Sequence, residues 1–153
     1  MPTRFRVWGD YALFTRPEMK TERVSFDIIT PSAARGICDA IFWHPGLRWV
    51  IDRIIVCNPI RFTSVRRNEV KAVVNSCAAR TVMEGRGNGS LYIATPNEIQ
   101  QRASLLLRDV SYVIEAHFEM TDKAAPSDNP GKFQDIMTRR IRKGQAYHQP
   151  CMG

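Results

Sequence analysis

Lys132 opens the most chemically suggestive stretch of the 153-residue chain, DNPGKFQDIMTRRIRKGQAYHQP, which runs from Asp128 to Pro150. An Asn-Pro-Gly turn hands the chain to this lysine at the start of a helical pattern. A cation there sits beside unpaired backbone N–H groups, and both face an anion. Arg139, Arg140, Arg142 and Lys143 follow, and they supply several phosphate contacts. Lys132, Arg139 and Lys143 are seven and eleven residues apart from the first, so they share one helical face. Phe133, Ile136, Met137 and Ile141 form the apolar stripe opposite. A charge run on its own marks a solvated face. Here Arg66 and Arg67, with Arg86 in a glycine-rich loop, extend the basic path, and the aromatic company of Trp8, Tyr11 and Phe14 tilts the reading towards RNA. Taken singly, His44, His117 and His148 read as surface or satisfied polar residues.

The composition agrees with that direction. Lys and Arg number 22 against 15 Asp and Glu, a formal charge of +7, and a basic chain suits a polyanion because each neutralised phosphate releases counterions. Composition alone equally fits a basic surface kept for solubility. Cys38, Cys57, Cys77 and Cys151 are too widely spaced for a metal knuckle, and no metal or cofactor is expected. Cys38 and Cys57 lie in apolar runs, where a free cysteine packs as a small core residue. The opening MPTRFRVWGDYALFTRPE is too broken by charge and proline for a signal peptide, and no apolar run reaches the length of a membrane span. The expected setting is cytoplasmic, with no membrane partner.

Period-two alternation in TRFRVWGD predicts a strand with Phe5 and Val7 on one face and Arg4 and Arg6 on the other. TPSAARGICDAIFWHPG predicts a helix with Thr30 as N-cap, Pro31 at the first position and Pro45-Gly46 as the stop. Its buried stripe is Ala33, Ala34, Ile37, Ala40 and Ile41. LRWVIDRIIVCNPIRFTSVRRNEV predicts strand, bend at Asn58-Pro59, and strand again from Phe62 to Val65. Between Lys71 and Ile99 the pattern is weak, and MEGRGNGSLYIATP reads as a loop or hairpin tip. RASLLLRDVSYVIEAHFEM is a long strand with Val110, Tyr112, Ile114, Ala116 and Phe118 on one face. A second helix, carrying Lys132, follows a polar linker.

This order of elements, with the motifs FRVWGDYALFTRPE, TPSAARGI, AIFWHPGLRWVIDRI, NPIRF, RRNEV, LRDVSYVIEAHFEM and NPGK…RRIRKGQAYHQP, resembles the Cas five family of CRISPR-associated proteins, subtype d, of type I-C systems. The resemblance implies an α+β, ferredoxin-like fold (RRM-related, of the RAMP superfamily). Its antiparallel sheet would carry two helices on one face and lack a final strand. One N-terminal RNA-binding domain over 1–153, with a loop-rich insertion around 70–100, is the expected organisation. It further implies a metal-independent endoribonuclease that cuts CRISPR repeat RNA (pre-crRNA) and stays bound to the crRNA. The implied protein partners are the backbone and large subunits of the surveillance complex. The rival reading is a non-catalytic structural subunit that caps the crRNA 5′ handle, and a general duplex-DNA binder is a third.

The same resemblance implies an active site of one tyrosine near the end of the first helix and a Lys-His pair before the second. The tyrosine position falls on Phe42, the lysine on Lys132 and the histidine on Phe133. Neither phenylalanine transfers protons, so Lys132 carries the charge stabilisation. His44, two residues past Phe42, is the nearest titratable candidate for the proton-transfer role. A regular helix turns about 200° over two residues, which would point His44 away from Phe42 unless the helix has already frayed there.

Overall fold

The computed structural model describes residues 2–19, 21–86 and 91–153, and these fall into two compact units. Met1–Thr63 and Leu105–Gly153 form the first, Ser64–Ser104 the second. Strands β1 (Thr3–Ala12), β2 (Arg23–Val24), β3 (Leu47–Val56), β4 (Phe62–Val70) and β5 (Ile99–Met120) alternate with helices α1 (Pro31–Ile41), α2 (Ser76–Met83) and α3 (Pro130–Lys143).

In the first unit β5 is the central strand. It pairs antiparallel with β1, with Phe5 opposite Ile114 and Trp8 opposite Ser111, and antiparallel with β3, with Trp49 opposite Phe118. Among the described residues β1 pairs with no strand but β5, so its outer edge carries no ladder. Alternation along β5 buries Val110, Tyr112, Ile114 and Ala116 on one face, as the sequence pattern predicts, against Phe5, Trp49 and the inner faces of α1 and α3. Helix α1 contributes Ala34, Ile37, Cys38 and Ile41, and α3 contributes Phe133 and Met137. This is the expected sheet with two helices on one face. A bulge between Ile51 and Arg53 inserts Asp52 into β3.

Helix α1 begins as its sequence dictates. The Thr30 side chain accepts from the Ala33 amide, and Pro31 takes the first position. It ends earlier than the Pro45-Gly46 stop, because distant groups capture its terminal carbonyls. Tyr147 and His148 donate their amides to the Ala40 carbonyl, and Arg140 donates to that of Ile41. The Trp49 indole N–H donates to Phe42 at 2.8 Å. Phe42, the C-cap, is therefore already extended.

The second unit holds most of β4, the start of β5, α2 and a 3₁₀ turn at Thr95–Glu98. Strand β4 runs on to Val70, past the predicted Val65, and α2, capped by Asn75, is a helix where the sequence pattern was weak. Part of the glycine-rich loop, 87–90, lies outside the described residues. Two expectations fail on burial. Cys57 is exposed, since it follows β3 at the bend instead of packing inside; Phe14 is buried edge-on against Tyr112, so it belongs to the core and not to an aromatic RNA surface. No helix among the described residues is long and apolar enough to cross a membrane.

Candidate nucleic-acid interface

The end of α1 and the start of α3 meet at Phe133. Its ring lies 5.7 Å from that of Phe42, 6.1 Å from Phe118 and 4.8 Å from the imidazole of His44. Phe42 and Phe133 are 6% and 2% exposed, so both act as core residues. The rotation of a regular helix does not govern His44. The helix has ended at Ile41, and the extended backbone beyond it swings His44 onto Phe133.

His44 is held by the loop that contains it. Its Nδ1 accepts the Gly46 amide at 3.0 Å, so in the neutral ring the proton resides on Nε2. The buried Asp128 carboxylate is 3.8 Å from Nδ1 and accepts the Ala125 amide. Gly46 is demanded by crowding: a Cβ there would meet Ala124 Cα at 2.9 Å and Asp128 Oδ2 at 3.0 Å. This brings the 44–46 loop against the loop that leads into α3.

Lys132 is exposed in the first turn of α3, immediately before Phe133, and forms no ion pair among the described residues. The Asn129 side chain caps this helix by accepting the Gly131 amide. Arg139, Arg142 and Lys143 are exposed farther along. Arg140 is different. Its guanidinium donates to the Ile41 carbonyl and lies 5.2 Å over the Phe42 ring, which binds it to the protein. Among the described residues Arg139, Arg142 and Lys143 have no carboxylate partner, whereas the basic residues of the second unit differ from one another. Arg66 is exposed, but Arg67 pairs with Glu69 at 2.9 Å and donates to Ser104, and Glu69 also takes Arg102 at 3.2 Å. Arg86 pairs with Glu84 at 2.6 Å. The expectation of a free phosphate-binding guanidinium thus meets a paired one at Arg67 and a bracing one at Arg140.

His117 donates its Nδ1–H to the bulged Asp52 carboxylate at 2.7 Å on the opposite face of the sheet, away from Phe133. His148 lines a cavity of about 560 Å³ with Phe14, Phe26 and Ala33. Sequence reasoning missed the role of Asp128 and Gly46 around His44; the Pro-Gly and Asp-Asn-Pro turns were visible, but not that they meet. Burial, with the neighbouring Asp39 carboxylate, pushes the Cys38 thiol up to about 12, so it is an inert core group.

An antiparallel sheet backed by two helices, with an exposed helix-start lysine next in sequence to an aromatic-histidine cluster, defines a ferredoxin-like protein. The comparisons then assign the lineage. The model of the family described as CRISPR-associated protein (Cas_Cas5), subtype d, matches residues 4–153, and the chain belongs to that family. It is 53% identical over 150 residues to the CRISPR pre-crRNA endoribonuclease Cas5d of Mannheimia succiniciproducens, covering 98% of this chain and 67% of that protein. It is 39% identical to the protein of the same name from Thermus thermophilus, covering 98% of this chain and 58% of the relative. The chain thus spans about three fifths to two thirds of the length of these relatives. Among solved structures, a CRISPR-associated protein shares the fold with TM-score 0.62 at 24% identity, over 99% of this chain and 63% of that one. A functionally uncharacterized protein, SMU1763c from Streptococcus mutans, matches with TM-score 0.62 at 25% identity, over 100% and 61%.

Proposed function

We propose that the chain binds CRISPR repeat RNA and serves in its processing as a metal-independent endoribonuclease, retained on the crRNA within the type I-C surveillance complex. The observation that carries this reading is Lys132: a cation at the N-terminus of α3 with no ion pair among the described residues, one residue in sequence from the Phe42–Phe133–His44 cluster. In such a cleavage the RNA 2′-oxygen attacks the adjacent phosphorus, and the 5′-oxygen leaves. The products are a 2′,3′-cyclic phosphate and a 5′-hydroxyl, so one proton must be removed and one returned. Lys132 and the α3 amides answer the charge on the phosphorane. With Nδ1 committed to Gly46, neutral His44 is a donor at Nε2 and suits stabilisation of phosphate oxygens. It becomes a base only by releasing that amide. Phe42 and Phe133 pack beneath the site and transfer no proton, so chemistry in the chain as it stands is slow. Arg139, Arg142 and Lys143 track the RNA backbone.

The test is cleavage of labelled repeat RNA in EDTA, alongside a binding gel and a thermal melt for each variant. Phe42→Tyr with Phe133→His should raise the rate by about 10²–10⁴, the usual value of a placed general base. Lys132→Ala should abolish the gain. A folded double variant that binds RNA yet stays inert would overturn the assignment of these positions.

A further inference from the structure

The helices cover one face of the first unit's sheet, and the other face carries its own chemistry. On β1 the outward positions are Arg4, Arg6 and Trp8, and they lie opposite Glu115, Val113 and Ser111 of β5. On β3 the outward charges are Arg48, Arg53 and the bulged Asp52, which is bonded to His117. Three of these four arginines have a carboxylate partner. Arg4 and Arg53 share Glu115 at 3.4 and 3.6 Å, and Arg48 pairs with Glu119 at 2.6 Å. Arg6 forms no ion pair among the described residues. It donates Nε to the Ser111 hydroxyl at 2.9 Å and sits 5.8 Å from the Trp8 ring, which is 69% exposed.

We propose that Trp8 and Arg6 form a nucleotide-binding platform for a single-stranded segment of RNA, with a base stacked on the indole and its phosphate against the guanidinium. The proposal rests on the RNA-binding function above and adds a second contact surface on the opposite side of the sheet from Lys132. Charge selects the occupant. The only outward arginine of this face without an acid, among the described residues, adjoins its only exposed indole. A flat aromatic with an unneutralised cation beside it matches a base and its phosphate better than it matches an acidic or apolar protein surface. Asp10, two residues beyond Trp8, repels phosphate and so places it on the Arg6 side. Unpaired bases are required, because a duplex hides their faces.

The experiment titrates the full chain with a short labelled oligoadenylate and with a fully paired RNA duplex across a range of salt. Trp8→Ala should weaken oligoadenylate binding by about 5- to 150-fold, the range of one stacked base, with no change in the log–log salt slope and little effect on the duplex. Trp8→Phe should recover most of the loss. Arg6→Gln should lower the slope by about one. Wild-type binding that is intact and indifferent to both Trp8 variants would overturn the platform but leave the proposed function standing. So would a Trp8→Ala effect on self-association in sedimentation without one on RNA, which would mark a protein interface. Absence of any RNA binding by the wild-type chain would overturn both.

Discussion

Arg140→Met separates arginines that hold the protein from those that hold RNA. The guanidinium of Arg140 donates to the Ile41 carbonyl, one of the free acceptors at the end of α1, and lies 5.2 Å over the Phe42 ring. A hydrogen bond from a charged donor contributes about 1.5–3 kcal/mol, and a cation over an aromatic ring about 0.5–1 kcal/mol at a half-exposed site. Methionine keeps the apolar stem, and water can reach part of the released carbonyl, so the net loss should be about 2–3 kcal/mol. For a chain of this size that lowers Tm by roughly 4–12 °C. The assay pairs a thermal melt with repeat-RNA binding across salt. Arg140→Met should lose thermal stability and retain its salt slope, because Arg140 is committed within the fold. Arg139→Ala with Lys143→Ala should do the reverse, flattening the slope by about two units at most while Tm holds. An Arg140→Met protein that melts normally and loses a unit of slope would refute the bracing role and return this residue to the RNA path.

Two further outcomes are expected. The folded protein should expose the thiols of Cys57, Cys77 and Cys151 to a thiol reagent at mildly alkaline pH and withhold that of Cys38, whose burial raises it to about 12. Because the folded state keeps this proton while the unfolded state releases it from about pH 9, stability should fall by up to about 1.4 kcal/mol per pH unit between pH 9 and 12; a Cys38→Ala chain with the same alkaline slope would contradict this. Gly46→Ala should cost about 1–3 kcal/mol, since the new Cβ meets Ala124 Cα at 2.9 Å, and should shift the imidazole resonances of His44. Unchanged His44 resonances would show that the loop yields without moving the ring.

Much of the fold was legible because its signals are local. The alternation of Phe5 with Arg4 and Arg6, the Thr30-Pro31 helix start and the i, i+4 pair Phe133 and Met137 each bind a residue type to a period, and the structure buries them accordingly. What the sequence hid depends on long-range closure. Where α1 stops is decided by Trp49, Arg140 and Tyr147, and that early stop is what turns His44 onto Phe133. Phe14 and Cys57 were misplaced for a related reason: each sits where a strand ends, and there the twist and bend of the chain, not the period, set the burial. Pairing escapes composition, which counts Arg67 and Arg139 alike, although Glu69 two residues along β4 already sits on the Arg67 face.

The captured end of α1 also bears on how the molecule is made. A chain synthesised from its N-terminus can complete the first turns of this helix as soon as they emerge, because Thr30 and Pro31 are local. Its last carbonyls must wait. The Ile41 acceptor finds its donor 99 residues later, and Ala40 finds its donors at Tyr147 and His148. Until those residues emerge, the last two carbonyls of α1 lack their donors, and Trp49 alone holds the Phe42 end. Assembly of the candidate site therefore waits for α3, and a nascent chain halted before Arg140 would carry β1 to β5 without the donor that closes the end of α1.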